Sequence, residues 1–381
     1  MDVLLIGAGG AGTVIARHLV QSTNVDTLTV SDINPDRAES VAKKSGRKAV
    51  PLELDAGNST DVSEAIRKKG MVINASLPRY NGGIMKTALK AGAKYIDLAL
   101  QDPEGQYAAD GMWKKRGNTA VIGLGEDPGM SNIFAMYAAN RMDRVKSIRI
   151  RDGETAISSE HPFMSLFSPA TFLTETMEVP VVFMNGRLRH IDRFSDRETC
   201  DFPGGMGRLP VYSVKHEEVY SLPRSIGKGI RYADFKLALT DDTMKYLQVL
   251  NTMGLLSEKK IAVNGTAVRP IDLTLRLMPE PAQLGKNITG RAIILVDVEG
   301  SVKGRRSRHR LYAIMDHEEC YARYGVNATS YITGTGAAAG ALMMMENGKL
   351  PAGIHPPERL DPDTYLERLA TLGVRVVQKL S

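Results

Sequence analysis

The chain opens with MDVLLIGAGGAGTVIARHL, residues 1–19, and the reading of this stretch decides the fold. A short apolar run ends at Gly7, passes Gly9, Gly10, Ala11 and Gly12, and enters a helical pattern, AGTVIARHLVQ at 11–21. The G-x-G-x-x-G spacing alone says little in a chain with 36 glycines among 381 residues; its context gives it meaning. Up to about residue 124, β-type runs alternate with amphipathic stretches. The runs are VLLIG (3–7), TLTVS (27–31), AVPLEL (49–54), MVINA (71–75), KYIDLAL (94–100) and TAVIGL (119–124). Helical patterns fall at 35–45, 61–70, 82–92 and 104–117. This alternation predicts βαβ units with right-handed crossovers, an α/β fold with a Rossmann-type doubly wound parallel sheet.

In that frame the glycines have work. Gly7 permits the tight turn, Gly9 lets a pyrophosphate approach the backbone, and Gly12 allows close helix–strand packing. Gly10 and Ala11 complete the loop at a helix N-terminus, whose free N–H groups favour phosphate. Asp32, twenty positions past Gly12, is placed to bond the ribose hydroxyls, which favours NAD over NADP. Asp55 ends the third strand, within reach of an adenine or in a turn. Ala75, Ser76, Leu77 and Pro78 follow the fourth strand and are expected to border the nicotinamide ribose.

After the sixth strand comes GLGEDPGMSNIFAMYAANRMD. Asp127–Pro128 reads as a helix start, with Asp127 as N-cap or as a catalytic carboxylate. Glu126 lies at the sheet's C-terminal edge, where a reactive cofactor end belongs. Beyond about residue 146 the strands cluster. VPVVFMNGRLRHI is a hairpin about Asn185–Gly186, EEVYSLP, YADFKLAL, VRPIDLTLRL and RAIILVDVEG read as strands, and DDTMKYLQVLNTMG as a helix. This predicts an inserted α+β substrate and dimerisation domain. Within it, His216 and the arginines flanking SIGKGI, Arg224 and Arg231, are candidate substrate contacts, since an arginine fork suits a carboxylate. A long apolar helix is expected at 328–347, its Gly334, Gly336 and Gly340 serving close packing. The resulting domains are 1–125 (dinucleotide-binding), 126–325 (substrate and dimerisation) and 326–381 (a helical segment returning to the first).

Composition bounds the rest. Charged residues make 24% and the net charge is +6, mild for this length, which disfavours nucleic-acid binding. The densest basic cluster, KGRRSRHR at 303–310, reads as a hairpin tip. No apolar run approaches the roughly 20 residues of a membrane span. The start lacks a signal peptide's basic region, and two cysteines point to neither a disulfide framework nor a metal site. A cytoplasmic location is expected.

VLLIGAGGAG with Asp32, VINASLPRYNGGIMKTALKAGAKYIDLA, GLGEDPGMSN, SYITGTGAAAGAL and IHPPERL together resemble the saccharopine dehydrogenase family. The resemblance implies a homodimer that transfers hydride at an amine-bearing carbon through an imine, acting on a lysine-like amino acid or an opine-type secondary amine. Such chemistry needs a neutral nitrogen and a group that moves protons; Asp97, Glu126 and Asp127, at strand ends, are the candidates. Glu126 departs from the apolar or aromatic residue common before Asp-Pro-Gly in relatives. Two other readings stay open: a non-catalytic NAD-binding redox sensor, and a transferase using NAD internally in the manner of homospermidine synthases.

Overall fold

The computed structural model describes residues 1–346 and 350–381. Six strands follow the expected alternation: β1 (Asp2–Ile6), β2 (Thr27–Asp32), β3 (Ala49–Glu53), β4 (Met71–Asn74), β5 (Lys94–Asp97) and β6 (Thr119–Val121). They form a parallel sheet in the order β3, β2, β1, β4, β5, β6, and the late strand Gly353–His355 adds a seventh beside β6. β1 pairs with both β2 and β4, so the winding direction reverses there and a crevice opens beyond their C-terminal ends. The central strands are apolar on both faces, and β1 buries Val3, Leu4, Leu5 and Ile6, as covering helices require.

β7 (Arg144–Glu154) begins a second, nine-stranded sheet that is mostly antiparallel. It pairs antiparallel with Arg291–Val302 and parallel with Tyr232–Ala238. The chain's last strand, Val377–Leu380, pairs with Arg305–Asp316, so residues after 326 contribute to both sheets. The hairpin Val181–Met184 and Arg187–His190 turns on Asn185 and Gly186, both at positive φ. In the basic cluster, the turn itself is Lys303–Gly304; Arg308 and Arg310 both fork onto Asp297 across the sheet face.

Three local expectations need correcting. EEVYSLP lies in a helix, Glu218–Ile226, because Val219, Leu222 and Ile226 recur at helical spacing on its buried face. VRPIDLTLRL likewise becomes a helix, Pro270–Leu277, with proline at its first turn. The helix after Asp127–Pro128 starts later, at Met130, and Gly129 is its cap: Asn132 Oδ1 accepts from the Gly129 N–H at 2.9 Å. The Asp127–Pro128 peptide is cis.

The helix Ala328–Met345 lies against the first helix, Gly10–Leu19. Added Cβ atoms at Gly334 and Gly336 would meet Ala11 O at 2.6 Å and Gly125 O at 2.4 Å. These glycines therefore seat the late helix against the nucleotide sheet. No described helix is long and apolar enough to cross a membrane.

Candidate active site

A cavity of about 650 Å³ runs from the glycine loop to the second sheet. Gly7, Gly9, Gly10, Ala11 and Gly12 line one end, with Asp32, Asp55 and Ala75 to Pro78. Gly7 has φ +100°, and its missing Cβ would strike the Ala75 carbonyl at 2.6 Å. At Gly12 a Cβ would come within 2.0 Å of Gly7 O. A Cβ on Gly9 would meet nothing within 4 Å, leaving room for a ligand to approach the backbone. Asp32 Oδ2 accepts from the Ala8 N–H at 2.9 Å and Oδ1 from Asn34 N–H at 2.9 Å, which fixes the carboxylate at the cavity edge. Asp55 both lines the cavity and accepts from Gly57 N–H at 2.8 Å, as a turn residue does. Asn74 Oδ1 accepts from the N–H and hydroxyl of Ser76, while its amide donates to Asn81. That network sets the path of 75–78. The loop, its open Gly9 and the anchored Asp32 thus suit a dinucleotide.

The other end is acidic. Glu126, Asp127, Asp152 and Glu175 line it with His216 and Phe235. Glu126 and Asp127 arrive on the β6 loop, Asp152 on β7, and Glu175 on the helix Pro169–Met177. Glu126 Oε1 and Asp127 Oδ2 are buried and have no hydrogen-bond partner among the described residues. Burial first, then neighbouring carboxylates, push both groups well above the usual carboxylate range. Burial and then Asp152 raise Glu154 to about 8, and burial raises Glu175 to about 8 against the pull of His216, helped by Glu217, Asp152 and Glu218. Burial raises Asp152 to about 7, against the pull of His216. His216 is the counter-charge: desolvation opposes its protonation, but Glu218, Glu217 and Glu175 outweigh this and raise it to about 10.

Three sequence candidates lie elsewhere. Asp97 does not line the cavity. It is buried behind it, where Oδ1 accepts from Gly123 N–H at 2.7 Å and Oδ2 from Gln106 and the Tyr95 hydroxyl at 2.9 and 3.1 Å. It therefore organises the loop that carries Glu126. Arg224 and Arg231 are both exposed and neither lines the cavity. The turning of EEVYSLP into a helix points Arg224 outward, and Arg231 lies just before the strand Tyr232–Ala238, whose Tyr232 pairs with Met184. Sequence reasoning missed Asp152, Glu175 and Phe235. Nothing local marks them, since they meet only when strand, helix and loop from separate segments converge.

Residues 3–121 match the family model described as saccharopine dehydrogenase NADP binding domain, and residues 125–374 the saccharopine dehydrogenase C-terminal domain. Carboxyaminopropylagmatine dehydrogenase of Synechocystis sp. is 28% identical over 98% of this chain and 96% of its own length. Carboxynorspermidine synthase of Vibrio alginolyticus is 30% identical, with the same coverage of each. Among solved structures, saccharopine dehydrogenase (L-Glu forming) of Saccharomyces cerevisiae aligns at TM-score 0.76 and 14% identity over 100% of this chain and 99% of its own. Homospermidine synthase of Legionella pneumophila, in complex with NAD, aligns at 0.72 and 14%, over 100% and 91%. At these identities the solved structures speak for the fold.

Proposed function

Because the chain belongs to the saccharopine dehydrogenase family of NAD(P)-dependent oxidoreductases, we propose that it forms or cleaves the CH–NH bond of a carboxylated secondary amine whose far end carries a further positive charge, a polyamine or guanidino chain. The observation that carries this reading is the acidic end of the cavity, where Glu126, Asp127, Asp152 and Glu175 face one histidine. Buried carboxylates without partners are costly, and a cationic substrate offsets that cost by holding them ionised. A simple lysine-like amino acid fits less well, since Arg224 and Arg231 stand outside. The two relatives are named for carboxyaminopropylagmatine and carboxynorspermidine, both carboxylated polyamine-type compounds, which supports the same class.

The glycine loop, Asp32 and residues 75–78 would hold the dinucleotide, which supplies or accepts a hydride when bound. The protein's own residues do the rest. The acidic wall orients the charged chain, Phe235 and the 75–78 segment exclude water, and the pKa values of Glu126 and Asp127, raised by burial, suit both groups to hold and release protons beside the substrate. We read the dinucleotide as NAD, because Asp32 would repel a 2′-phosphate and the nearby Arg37 donates to Glu280 at 2.7 Å. One observation favours NADP instead: a side pocket of about 230 Å³ beyond Gly9 is lined by Arg17, Arg37 and Lys44. A cytoplasmic homodimer is our reading for the assembly, and mass in solution tests it.

The deciding experiment follows reduced-dinucleotide absorbance with both cofactors against carboxylated polyamines, saccharopine and lysine. We expect kcat/KM for the polyamine class to exceed lysine by about 100-fold, near 3 kcal/mol of discrimination, from the desolvated charge pairs. Lysine or saccharopine as the best substrate would overturn the reading. Product in which an aminoalkyl group has moved between amines, with no net NADH, would favour the transferase.

A further inference from the structure

We propose that His216, held through Glu218 by Ser131, delivers the proton to the substrate nitrogen during reduction of the C=N bond. This rests on the reading above that a C–N bond is reduced or oxidised in this cavity.

The geometry is a relay. Ser131 Oγ donates to Glu218 Oε1 at 2.7 Å, and Glu218 Oε2 lies 2.5 Å from His216 Nδ1. Glu218 is fully buried, so this carboxylate cannot be satisfied by water. The ring stacks on Phe235, centroids 3.6 Å apart and planes 9° from parallel, which fixes its orientation. Nδ1 faces a carboxylate and so keeps its proton in either state of the ring. The nitrogen that gains or loses a proton is then Nε2, which has no protein partner among the described residues, on a side chain that lines the cavity. Ser131 is the second residue of the helix Met130–Asn140, four residues after Asp127, so one segment places both part of the acidic wall and the relay's anchor. A packing role would account for the stacking but not for an ordered serine–carboxylate–imidazole chain ending at the cavity.

The step balances. Hydride from the reduced dinucleotide adds to the imine carbon, the π pair of C=N moves to nitrogen, and that nitrogen takes the proton from His216 Nε2–H. The ring is left neutral and regains a proton from solvent. In reverse, the neutral ring removes the proton from the ammonium before hydride leaves. The charged groups facing the ring are Glu217, 3.6 Å from Nδ1, and Glu218 on its own segment, Glu175 on the helix Pro169–Met177, and Asp152 on β7. All are carboxylates that favour the protonated ring, raised to about 10. The site is loaded for reduction at neutral pH, and its activity falls as pH rises through that value.

The test compares wild type with His216→Gln and Glu218→Gln, measuring imine reduction from pH 6 to 11 alongside dinucleotide binding by fluorescence. His216→Gln should lower kcat by about 100-fold and erase the alkaline limb, with dinucleotide affinity within about 3-fold. Glu218→Gln should move the alkaline limb to lower pH, which lost packing alone would not do. In His216→Ala, added imidazole should restore part of the rate. An unmoved limb in Glu218→Gln, or a His216→Gln variant that retains its rate, would overturn the proposal. If wild type reduced no carboxylated polyamine imine, the reading of the function would fail and the step with it. Wild-type turnover with unaltered variants would sink the step alone.

Discussion

The two ends of the cavity are built by opposite means. The dinucleotide end is made of backbone: the 7–12 loop, the carbonyl of Ala75 and the turns after β2 and β3. Its determinants are absences of side chains and lie close together in sequence. The substrate end is made of side chains from five separate segments, and its determinants are buried charges. A backbone cradle can be read from a short motif because local sterics define it. A charge cluster forms only when the tertiary fold closes, and each member alone looks like a surface acid.

The sharpest test of this contrast substitutes glycines. Gly12→Val would press a side chain onto Gly7 O, already 2.0 Å from an added Cβ, so the loop has to move. We expect dinucleotide affinity to fall by about 100-fold or more, from overpacking worth on the order of 3 kcal/mol. Gly9→Ala meets no protein atom within 4 Å, so the melting temperature should hold while affinity drops. Fluorescence titration and thermal melting report the two separately. Wild-type affinity in Gly9→Ala would show that the cradle is not where the diphosphate sits.

At the acidic end the prediction concerns charge. Burial raises Glu175 to about 8 and Asp152 to about 7, above the values these groups have in an unfolded chain. Such groups stabilise the fold fully below the unfolded value, and that contribution is lost as pH rises through 7 to 8. His216, raised to about 10, works in the same direction above its ordinary value. Melting temperature should therefore decline from pH 5.5 to 8.5, and Glu175→Gln should flatten the decline. The same variant should raise KM for the cationic substrate about 10-fold, since a partly desolvated charge contact is worth roughly 1–2 kcal/mol. A steeper decline, or an unchanged KM, would show that the wall does not hold the cation.

The six nucleotide strands and the glycine loop are legible in the sequence because period and turn chemistry act over a few residues. Segments 217–223 and 268–277 read as strands but fold as helices: Val219, Leu222 and Ile226 do follow helical spacing, but Pro223 interrupts the pattern. Glu126 was visible as a carboxylate with no capping role, whereas Asp152 sits in an ordinary strand and Glu175 in an ordinary amphipathic helix. His216 was singled out without its anchor, since Ser131 and Glu218 are 87 residues apart.

The smallest expected effect falls on Asp97, which the sequence offers as a proton-handling group and the fold places behind the cavity. Burial raises its carboxyl to about 7, against the hydrogen bonds from Gly123, Tyr95 and Gln106. In Asp97→Asn the retained oxygen still accepts from the Gly123 N–H. The new amide faces Gln106, whose Oε1 is buried without a partner and becomes an acceptor if that amide rotates. The Tyr95 hydroxyl can turn to suit. The rotation exchanges one unpartnered buried polar group of Gln106 for another, so we expect stability to change by less than about 1 kcal/mol and turnover by less than about 3-fold. Above pH 7 the variant should gain slightly on wild type, because it no longer buries a charge that the raised pKa disfavours. Asp97→Ala leaves the Gly123 N–H unsatisfied and should cost about 1–3 kcal/mol. A loss of turnover near 100-fold in Asp97→Asn, with melting unchanged, would return this residue to the chemistry and erase the division between the loop's anchor and the wall it carries.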